Sequence, residues 1–113
     1  MRYTTLCRNN EFGRAYARGK AFVHPLLVTY VFKTRTRKLR VGITSSKKIG
    51  NAVTRNRARR VIRAAMQGCL PMDAGSYDLV FVARGRTASS KSWQVQKVME
   101  QHLRAAGVIH KQL

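Results

Sequence analysis

Apolar residues recur along this chain with two different spacings, and these spacings predict three helices and four strands. Helices are predicted where apolar side chains return every three or four residues, at 10–18, 52–67 and 92–106. Strands are predicted where β-branched, aromatic and apolar residues run together, at 20–23, 26–33, 39–45 and 77–83. The resulting order is α-β-β-β-α-β-α. It predicts an α+β protein in which helices pack on a small sheet as a two-layer α/β sandwich.

Residues that start and stop helices mark the ends of these elements. Asn9 or Asn10 can cap the first helix, and Glu11 suits its first turn. Glycines are expected to close the three helices: Gly19, Gly68 and Gly107.

The charge of the chain indicates its class of partner. Lys and Arg number 23 and acids only 4 among 113 residues, which gives a net charge of +19. A hydrophobic fraction of 44% is that of a folded protein, and the length suits one domain spanning 1–113. A compact domain with this imbalance repels itself unless phosphates neutralise it, so nucleic acid is the leading partner. General surface basicity and attraction to anionic lipid are the alternatives.

The central helix and the segment before it carry the strongest signal. Between Lys47 and Arg63 the sequence places seven cations and no carboxylate. A helical projection puts apolar residues on one side: Ala58, Val61, Ile62, Ala65 and Cys69. The opposite side collects Asn56, Arg57, Arg59, Arg60 and Arg63. A solvated face usually mixes signs, because like charges four residues apart repel, so this face is predicted to bind phosphates.

Several other kinds of chemistry find no support. The segment 47–51 lacks the glycine pattern of a nucleotide-binding loop, which excludes ATP binding. The acids are scattered along the chain: Glu11, Asp73, Asp78 and Glu100. The histidines show no acid–base or ligand spacing: His24, His102 and His110. We therefore expect no catalytic side chain and no metal bound by the protein.

The cysteines and the apolar runs bear on the compartment. Cys7 and Cys69 have no metal-binding spacing, and both are interpreted as reduced thiols, with Cys69 in or near the core. No signal peptide and no run long enough to span a membrane are evident. The expected location is the cytoplasm.

The basic segment resembles the signature of the bacterial ribonuclease P protein subunit. The matching residues are Lys47-Lys48-Ile49-Gly50-Asn51-Ala52-Val53, then Arg55-Asn56-Arg57, then Arg59-Arg60 and Arg63. The resemblance covers nearly the whole chain and includes Phe12 and Tyr16 in the first helix and Tyr30 in a strand. The family commonly has phenylalanine where Tyr16 stands, and either ring can stack.

The resemblance implies a function and a fold. It implies a small basic partner of a catalytic RNA, in a holoenzyme that removes the 5′ leader from precursor tRNA. The RNA performs the chemistry with Mg²⁺, which it mainly holds itself, and neither a membrane nor an obligate protein partner is expected. The implied fold is ribosomal-protein-like, with a left-handed β-α-β crossover that departs from the usual right-handed rule.

The resemblance also implies two groups of site residues. Those expected to bind the RNA subunit are Lys47, Lys48, Asn51, Arg55, Asn56, Arg57, Arg59, Arg60 and Arg63. Those expected to bind the leader are Phe12, Tyr16, Tyr30, Lys47, Lys48 and Arg84. Aromatics spaced like Phe12 and Tyr16 usually belong to a core, which is the alternative for that pair. The alternative function is a structural ribosomal-type or chaperone RNA-binding protein, which has no evident need for a second, aromatic surface.

Overall fold

The computed structural model describes residues 4–6, 8–35, 38–70 and 75–109. Its strands are β1 (Thr4–Thr5), β2 (Lys20–His24), β3 (Leu27–Lys33), β4 (Leu39–Thr44) and β5 (Tyr77–Ala83). Its helices are α1 (Asn9–Arg18), α2 (Ala52–Cys69) and α3 (Ser92–Ala106), with a 3₁₀ turn at Lys47–Ile49. The predicted α+β class and element order are confirmed. Neither β1 nor the 3₁₀ turn was predicted, because two or three residues show no periodicity.

Within the described residues the strands form one sheet in the order β1-β4-β5-β3-β2. β3 pairs antiparallel with both β2 and β5, whereas β4 is parallel to its neighbours β1 and β5. Because α2 connects the adjacent parallel strands β4 and β5, these three elements form a β-α-β unit. The hand of this connection stays a prediction of the family resemblance.

The two faces of the sheet are covered unequally. On one face Leu79 and Phe81 of β5 belong to the main core, which also takes in the buried side chains of α2 and α3. The alternate residue Val80 points the other way, into a small cluster with Leu6 and with Ala15 of α1. The sheet and the α2–α3 pair make the two expected layers, and α1 partly covers the opposite face.

The ends of α1 are set by Arg8 and Gly19. The helix begins at Asn9, so Arg8 occupies the capping position and the expected cap by Asn9 or Asn10 is wrong. Glu11 stands in the first turn as expected, where its carboxylate accepts a hydrogen bond from the Arg8 N–H at 3.2 Å. Gly19 closes the helix as predicted. A Cβ there would lie 2.3 Å from the Ala15 carbonyl oxygen, so the residue must be glycine.

Gly68 lies inside α2 and does not end it. The helix continues to Cys69 and is capped by Leu70, so the predicted end at 67 is wrong. A Cβ at Gly68 would lie 2.2 Å from the side-chain oxygen of Gln96 on α3. The glycine therefore permits close packing between α2 and α3. Gly107, in contrast, closes α3 as predicted, in the left-handed conformation with φ of +79°.

Candidate nucleic-acid interface

The start of α2 is fixed by its own side chains. Asn51 is the N-cap, and its side-chain oxygen accepts hydrogen bonds from the Thr54 N–H at 2.9 Å and from the Thr54 hydroxyl at 3.1 Å. Asn51 thus has a structural task that the sequence analysis did not assign to it. Lys48 is exposed in the preceding 3₁₀ turn, and the side chain of Lys47 lies outside the described part of the structure.

A shallow basic surface lies on the solvent side of α2. Its volume is about 440 Å³, and none of the residues lining it is acidic. These residues are Val53, Asn56, Arg59, Arg60 and Arg63, and they are called the basic face below. Arg57 is exposed but does not line this surface. Arg55 is half-buried, because it lies on the same side of the helix as Ala58 and Ile62. These two residues follow it by three and seven positions, and both are buried.

Arg59 of α2 is half-buried, as Arg55 is, and it contacts the end of the sheet. Its Nε donates a hydrogen bond to the Ser45 hydroxyl at 3.2 Å, just beyond β4. The helical projection placed Arg59 opposite the apolar stripe, and Arg59 does line the basic face, but the projection did not predict its contact with the sheet. Its long side chain lies along the boundary between the helix and the sheet, with an apolar stem that tolerates partial burial.

A second groove, lined by aromatic rings, runs between α1 and the end of β4. It has a volume of about 480 Å³ and is called the aromatic groove below. Its lining residues are Asn9, Phe12, Gly13, Tyr16, Ile43, Thr44, Ser45 and Arg59. Tyr16 is 41% exposed and its ring meets the half-buried Tyr30 edge-on, with centroids 4.9 Å apart. The three aromatics named by the sequence analysis therefore lie together, with the Phe12 and Tyr16 centroids 6.5 Å apart.

Phe12 both packs against the protein interior and lines the groove. It is half-buried and contacts the small cluster that contains Leu6, Ala15 and Val80. Its ring lies directly over Gly42 of β4, where a Cβ would come within 2.4 Å of the ring carbon Cε1. Phe12 thus packs on the core cluster and also lines the groove, and its contact with the leader stays a prediction. The glycine at 42 is what lets the ring lie close against the strand.

Arg84 lies apart from these rings. It is exposed one residue beyond β5, and it is not among the residues that line the aromatic groove. Its backbone N–H donates to the hydroxyl of the buried Thr87 at 2.8 Å, which holds the following turn in place. The end of β5 lies at the same end of the sheet as the end of β4, because the two strands are parallel.

An ion network that the sequence analysis missed holds α1 on the sheet. Arg40 of β4 donates hydrogen bonds to Glu11 of α1 and to the fully buried Asp78 of β5. Arg14 of α1 approaches Asp78 to 3.9 Å. The hydrogen bond to Asp78 is the main reason why the pKa of Arg40 is raised. The network fixes the helix that carries Phe12 and Tyr16.

A smaller pocket joins the two surfaces at the edge of the sheet. It has a volume of about 220 Å³, and its lining includes Phe12, Ile43, Arg59, Arg63 and Met66. Arg59 lines this pocket, the basic face and the aromatic groove alike. The two candidate surfaces therefore meet at one side chain.

The remaining titratable groups make contacts within the fold. His102 is buried, with Nδ1 2.8 Å from the Thr29 hydroxyl, and burial lowers its pKa to about 4. Glu100 lies 3.8 Å from Arg104 one turn later. Burial raises the pKa of the free, half-buried Cys69 thiol to about 12. Cys7, Asp73 and His110 lie outside the described residues.

Metal ligation and membrane insertion find no support in the described ranges. No group of three or more His, Cys, Asp or Glu residues there could hold a metal ion. Glu11 and Asp78, the acids that do come close together, both contact the Arg40 guanidinium, which does not suit them to a divalent cation. None of the helices in the described part is long and apolar enough to cross a membrane.

Comparison with known proteins decides the family. The family model named Ribonuclease P matches residues 1–107. The chain belongs to the ribonuclease P protein family. The ribonuclease P protein component of Clostridium botulinum (strain Loch Maree / Type A3) is 36% identical over 109 residues, which cover 96% of this chain and 98% of that one. That of Clostridium novyi is 39% identical over 103 residues, covering 89% and 91%.

The fold agrees with this family. The ribonuclease P protein of Staphylococcus aureus superposes with a TM-score of 0.77 at 28% identity, covering 94% of this chain and 97% of that one. As a ribonuclease P protein, the chain is part of an endoribonuclease ribonucleoprotein that matures the 5′ end of tRNA, and it has an RNA partner. The family predicted from the basic segment is confirmed, and the comparisons give no support to a structural ribosomal or chaperone protein.

Proposed function

We propose that this ribonuclease P protein acts as one RNA-binding domain with two surfaces for two RNAs. The basic face of α2, with Lys48 and Asn51 at its start and Arg57 beside it, holds the catalytic RNA subunit. The aromatic groove receives the single-stranded 5′ leader of precursor tRNA. The observation that carries the proposal is the contrast between these adjoining surfaces, one lined by guanidinium groups and the other by rings.

The chemistry of the basic face suits a folded RNA backbone. Arg60 and Arg63 are exposed side chains that can each form two parallel hydrogen bonds to a phosphate. Asn56 lines the same surface and can both donate and accept, which suits a base edge or a 2′-hydroxyl. Cations near the start of a helix oppose its macrodipole, and bound phosphate reverses this cost.

The chemistry of the aromatic groove suits an unpaired strand. The exposed ring of Tyr16 offers a flat surface, and Tyr30 supports it edge-on at 4.9 Å. Stacking one base on such a ring contributes about 1–3 kcal/mol and tolerates many sequences, as leaders of different tRNAs require. Arg59 at the end of the groove can contact a leader phosphate. We assign Lys47, Lys48 and Arg84 to the approach of the leader, outside the rings.

The chemical step belongs to the RNA in this proposal. The catalytic RNA subunit holds the Mg²⁺ that activates water for phosphodiester hydrolysis. The protein binds and orients the two RNAs, and this increases the effective concentration of the leader next to the RNA. Precursor tRNA is a cytoplasmic substrate, so the cytoplasm is the compartment that this function implies.

Two variants separate the proposed surfaces. Arg60→Ala combined with Arg63→Ala removes two cations from the basic face, and Tyr16→Ala removes one ring from the groove. Assembly with the RNA subunit is measured first, over a range of salt concentrations. Binding of a long-leader precursor and of mature tRNA to saturated holoenzyme is measured next. Lys20, an exposed cation on β2 outside both surfaces, provides the matched control Lys20→Ala.

The two variants should fail in different assays. The double arginine variant should assemble less tightly, and its log–log salt dependence should be shallower by roughly 0.7–0.9 for each phosphate that the protein no longer neutralises. Tyr16→Ala should assemble normally and bind mature tRNA normally, yet lose affinity for the long-leader precursor. Equal losses on mature and precursor tRNA, or an unchanged salt dependence for the arginine variant, would contradict the assignment of the surfaces.

A further inference from the structure

The tryptophan of this protein lies outside both surfaces and has little contact with the fold. Trp93 is the single tryptophan of the chain, stands in the first turn of α3 and is 59% exposed. It faces away from the buried row of that helix, which includes Val95 and Met99. Leaving most of an indole ring in water forgoes much of the stabilisation that its burial would give, so packing does not account for its position.

The surroundings of Trp93 are cationic. The ammonium group of Lys97, one turn later on α3, lies 5.8 Å from the centre of the indole ring. Lys91 and Arg86, just before the helix, are also exposed. From residue 79 to residue 99 the sequence has no acid. The next acid, Glu100, accepts a hydrogen bond from Gln96 and lies near Arg104.

Hydrogen bonds hold the backbone of the turn before α3, which carries Arg86 and is followed by Lys91. The hydroxyl of the fully buried Thr87 donates to the Leu26 carbonyl at 2.7 Å, which ties the turn to the start of β3. The hydroxyls of Ser89 and Ser90 both donate to the Arg86 carbonyl, at 3.1 and 2.7 Å. A backbone that is already held in place loses little conformational entropy when the turn binds a partner.

We infer that Arg86, Lys91, Trp93 and Lys97 form a platform on which an unpaired nucleotide of the catalytic RNA subunit stacks. An exposed ring flanked by cations has the chemistry that binds a base and its neighbouring phosphates. The inference rests on the proposed function and adds a third contact surface to it.

The RNA subunit is favoured over the leader by the topology. α2 and α3 pack side by side on one face of the sheet, whereas Tyr16 and Tyr30 lie on the face that α1 covers. An RNA seated on the basic face of α2 is therefore on the same side of the sheet as Trp93. A leader in the aromatic groove lies between α1 and the end of β4 and meets α2 at Arg59, away from α3.

Intrinsic fluorescence tests the platform directly, because the tryptophan emission of this protein comes from one indole. The full-length protein is titrated with the RNA subunit, and acrylamide quenching is measured before and after assembly. Base stacking should lower the emission, and the assembled indole should become several-fold less accessible to acrylamide. An indole that acrylamide reaches equally well in the holoenzyme would overturn the inference.

Variants give an independent measure. Trp93→Ala should weaken assembly roughly five- to 150-fold, the range expected for one base stacked on an aromatic ring, without changing the salt dependence. Trp93→Phe should recover most of this loss, which shows that a failure of Trp93→Ala is not misfolding. Lys97→Ala should make the log–log salt dependence shallower by roughly 0.7–0.9. Val23→Ala, at another exposed apolar side chain, on β2, is the control and should change nothing.

Three results would overturn the platform while leaving the two proposed surfaces intact. One is assembly of Trp93→Ala that stays within twofold of the wild type. Another is a loss confined to precursor tRNA binding, and the third is a self-association of the protein alone that Trp93→Ala abolishes. The double arginine variant of α2 serves as the reference in each case. If that variant also assembles normally, the proposed function itself is wrong.

Discussion

Arg40 and Asp78 face each other across β4 and β5 and form a two-pronged ion pair inside the protein. They are direct partners in the register of the two parallel strands. Nε and Nη2 of the arginine each donate to one carboxylate oxygen, both at 2.7 Å. Asp78 has no exposed surface, so this guanidinium replaces the water that the carboxylate loses on folding.

Removing the carboxylate should destabilise the protein strongly. Asp78→Ala leaves a largely buried guanidinium with only Glu11 as its partner, and a loss of about 3–5 kcal/mol in the free energy of unfolding is expected. Urea unfolding followed by circular dichroism measures it. Replacing both partners by apolar residues, Arg40→Met with Asp78→Leu, should recover part of the loss. A cost below about 1 kcal/mol for Asp78→Ala would show that the buried pair contributes little.

A methyl group at Gly42 of β4 should disturb the aromatic groove by displacing the Phe12 ring. In Gly42→Ala the added Cβ meets the Phe12 ring at 2.4 Å, so the ring must move. The expected cost is about 1–3 kcal/mol in unfolding free energy, together with weaker binding of long-leader precursor. Assembly with the RNA subunit should be unchanged. Gly85→Ala, where an added Cβ also meets nothing within 4 Å and which lines neither surface, is the matched control.

The buried His102 should make the protein sensitive to mild acid. Burial, and to a lesser extent the nearby His24, lower the pKa of His102 from 6.5 to about 4. Because the folded pKa is the lower one, His102 costs no stability above pH 6.5 and becomes destabilising as the pH falls towards 4. Unfolding free energies at pH 7 and pH 4.5 should differ by roughly 2 kcal/mol from this group. His102→Gln should lose that part of the difference, and an identical pH dependence in the variant would contradict the assignment.

The thiol of Cys69 should react slowly in the folded protein. Burial raises its pKa from 9.0 to about 12, so the reactive thiolate is rare at neutral pH. Alkylation by iodoacetamide should be roughly a thousandfold slower than for a free thiol. The measurement uses a Cys7→Ser background, and unfolding in urea should restore the normal rate. Rapid alkylation under native conditions would show that the thiol is more exposed than its surroundings indicate.

The protein alone should not cut precursor tRNA. The described residues bring together no carboxylate cluster that could hold a metal, and the buried His102 is engaged with Thr29. Incubation of pure protein with Mg²⁺ and substrate should leave the substrate intact, and adding the RNA subunit should start 5′ cleavage. Specific cleavage by the protein without RNA would mean that catalytic side chains have been overlooked.

The amphipathic helix α2 shows which features of a helix its hydrophobic periodicity can predict. Its start and its buried stripe followed from the sequence, because Ala58, Ile62 and Ala65 recur at helical spacing and are fully buried. The end of α2 did not follow from the sequence, because Gly68 is required by its close contact with Gln96, a residue of another helix. A projection of one helix also gives no information about Ser45, the residue that draws Arg59 towards the sheet.

In the candidate site, too, the sequence predicted some features and not others. The shared face of Phe12 and Tyr16 follows from their spacing of four residues, but their meeting with Tyr30 depends on how α1 packs on the sheet. That meeting was expected only because the chain resembles a known family. The ion network around Arg40 joins residues 29 and 38 positions away in the sequence, and no local pattern marks such partners.

The position of Arg59 on both surfaces has a consequence for how the two RNAs influence each other. Arg59 is the side chain that lines both the basic face and the aromatic groove. If binding of the RNA subunit orders this guanidinium, a leader that binds afterwards contacts an ordered side chain. The affinity of the protein for the leader then increases. Thermodynamic reciprocity then requires the leader to strengthen the hold on the RNA subunit by the same factor. Substrate and ribozyme would thus bind cooperatively through one arginine.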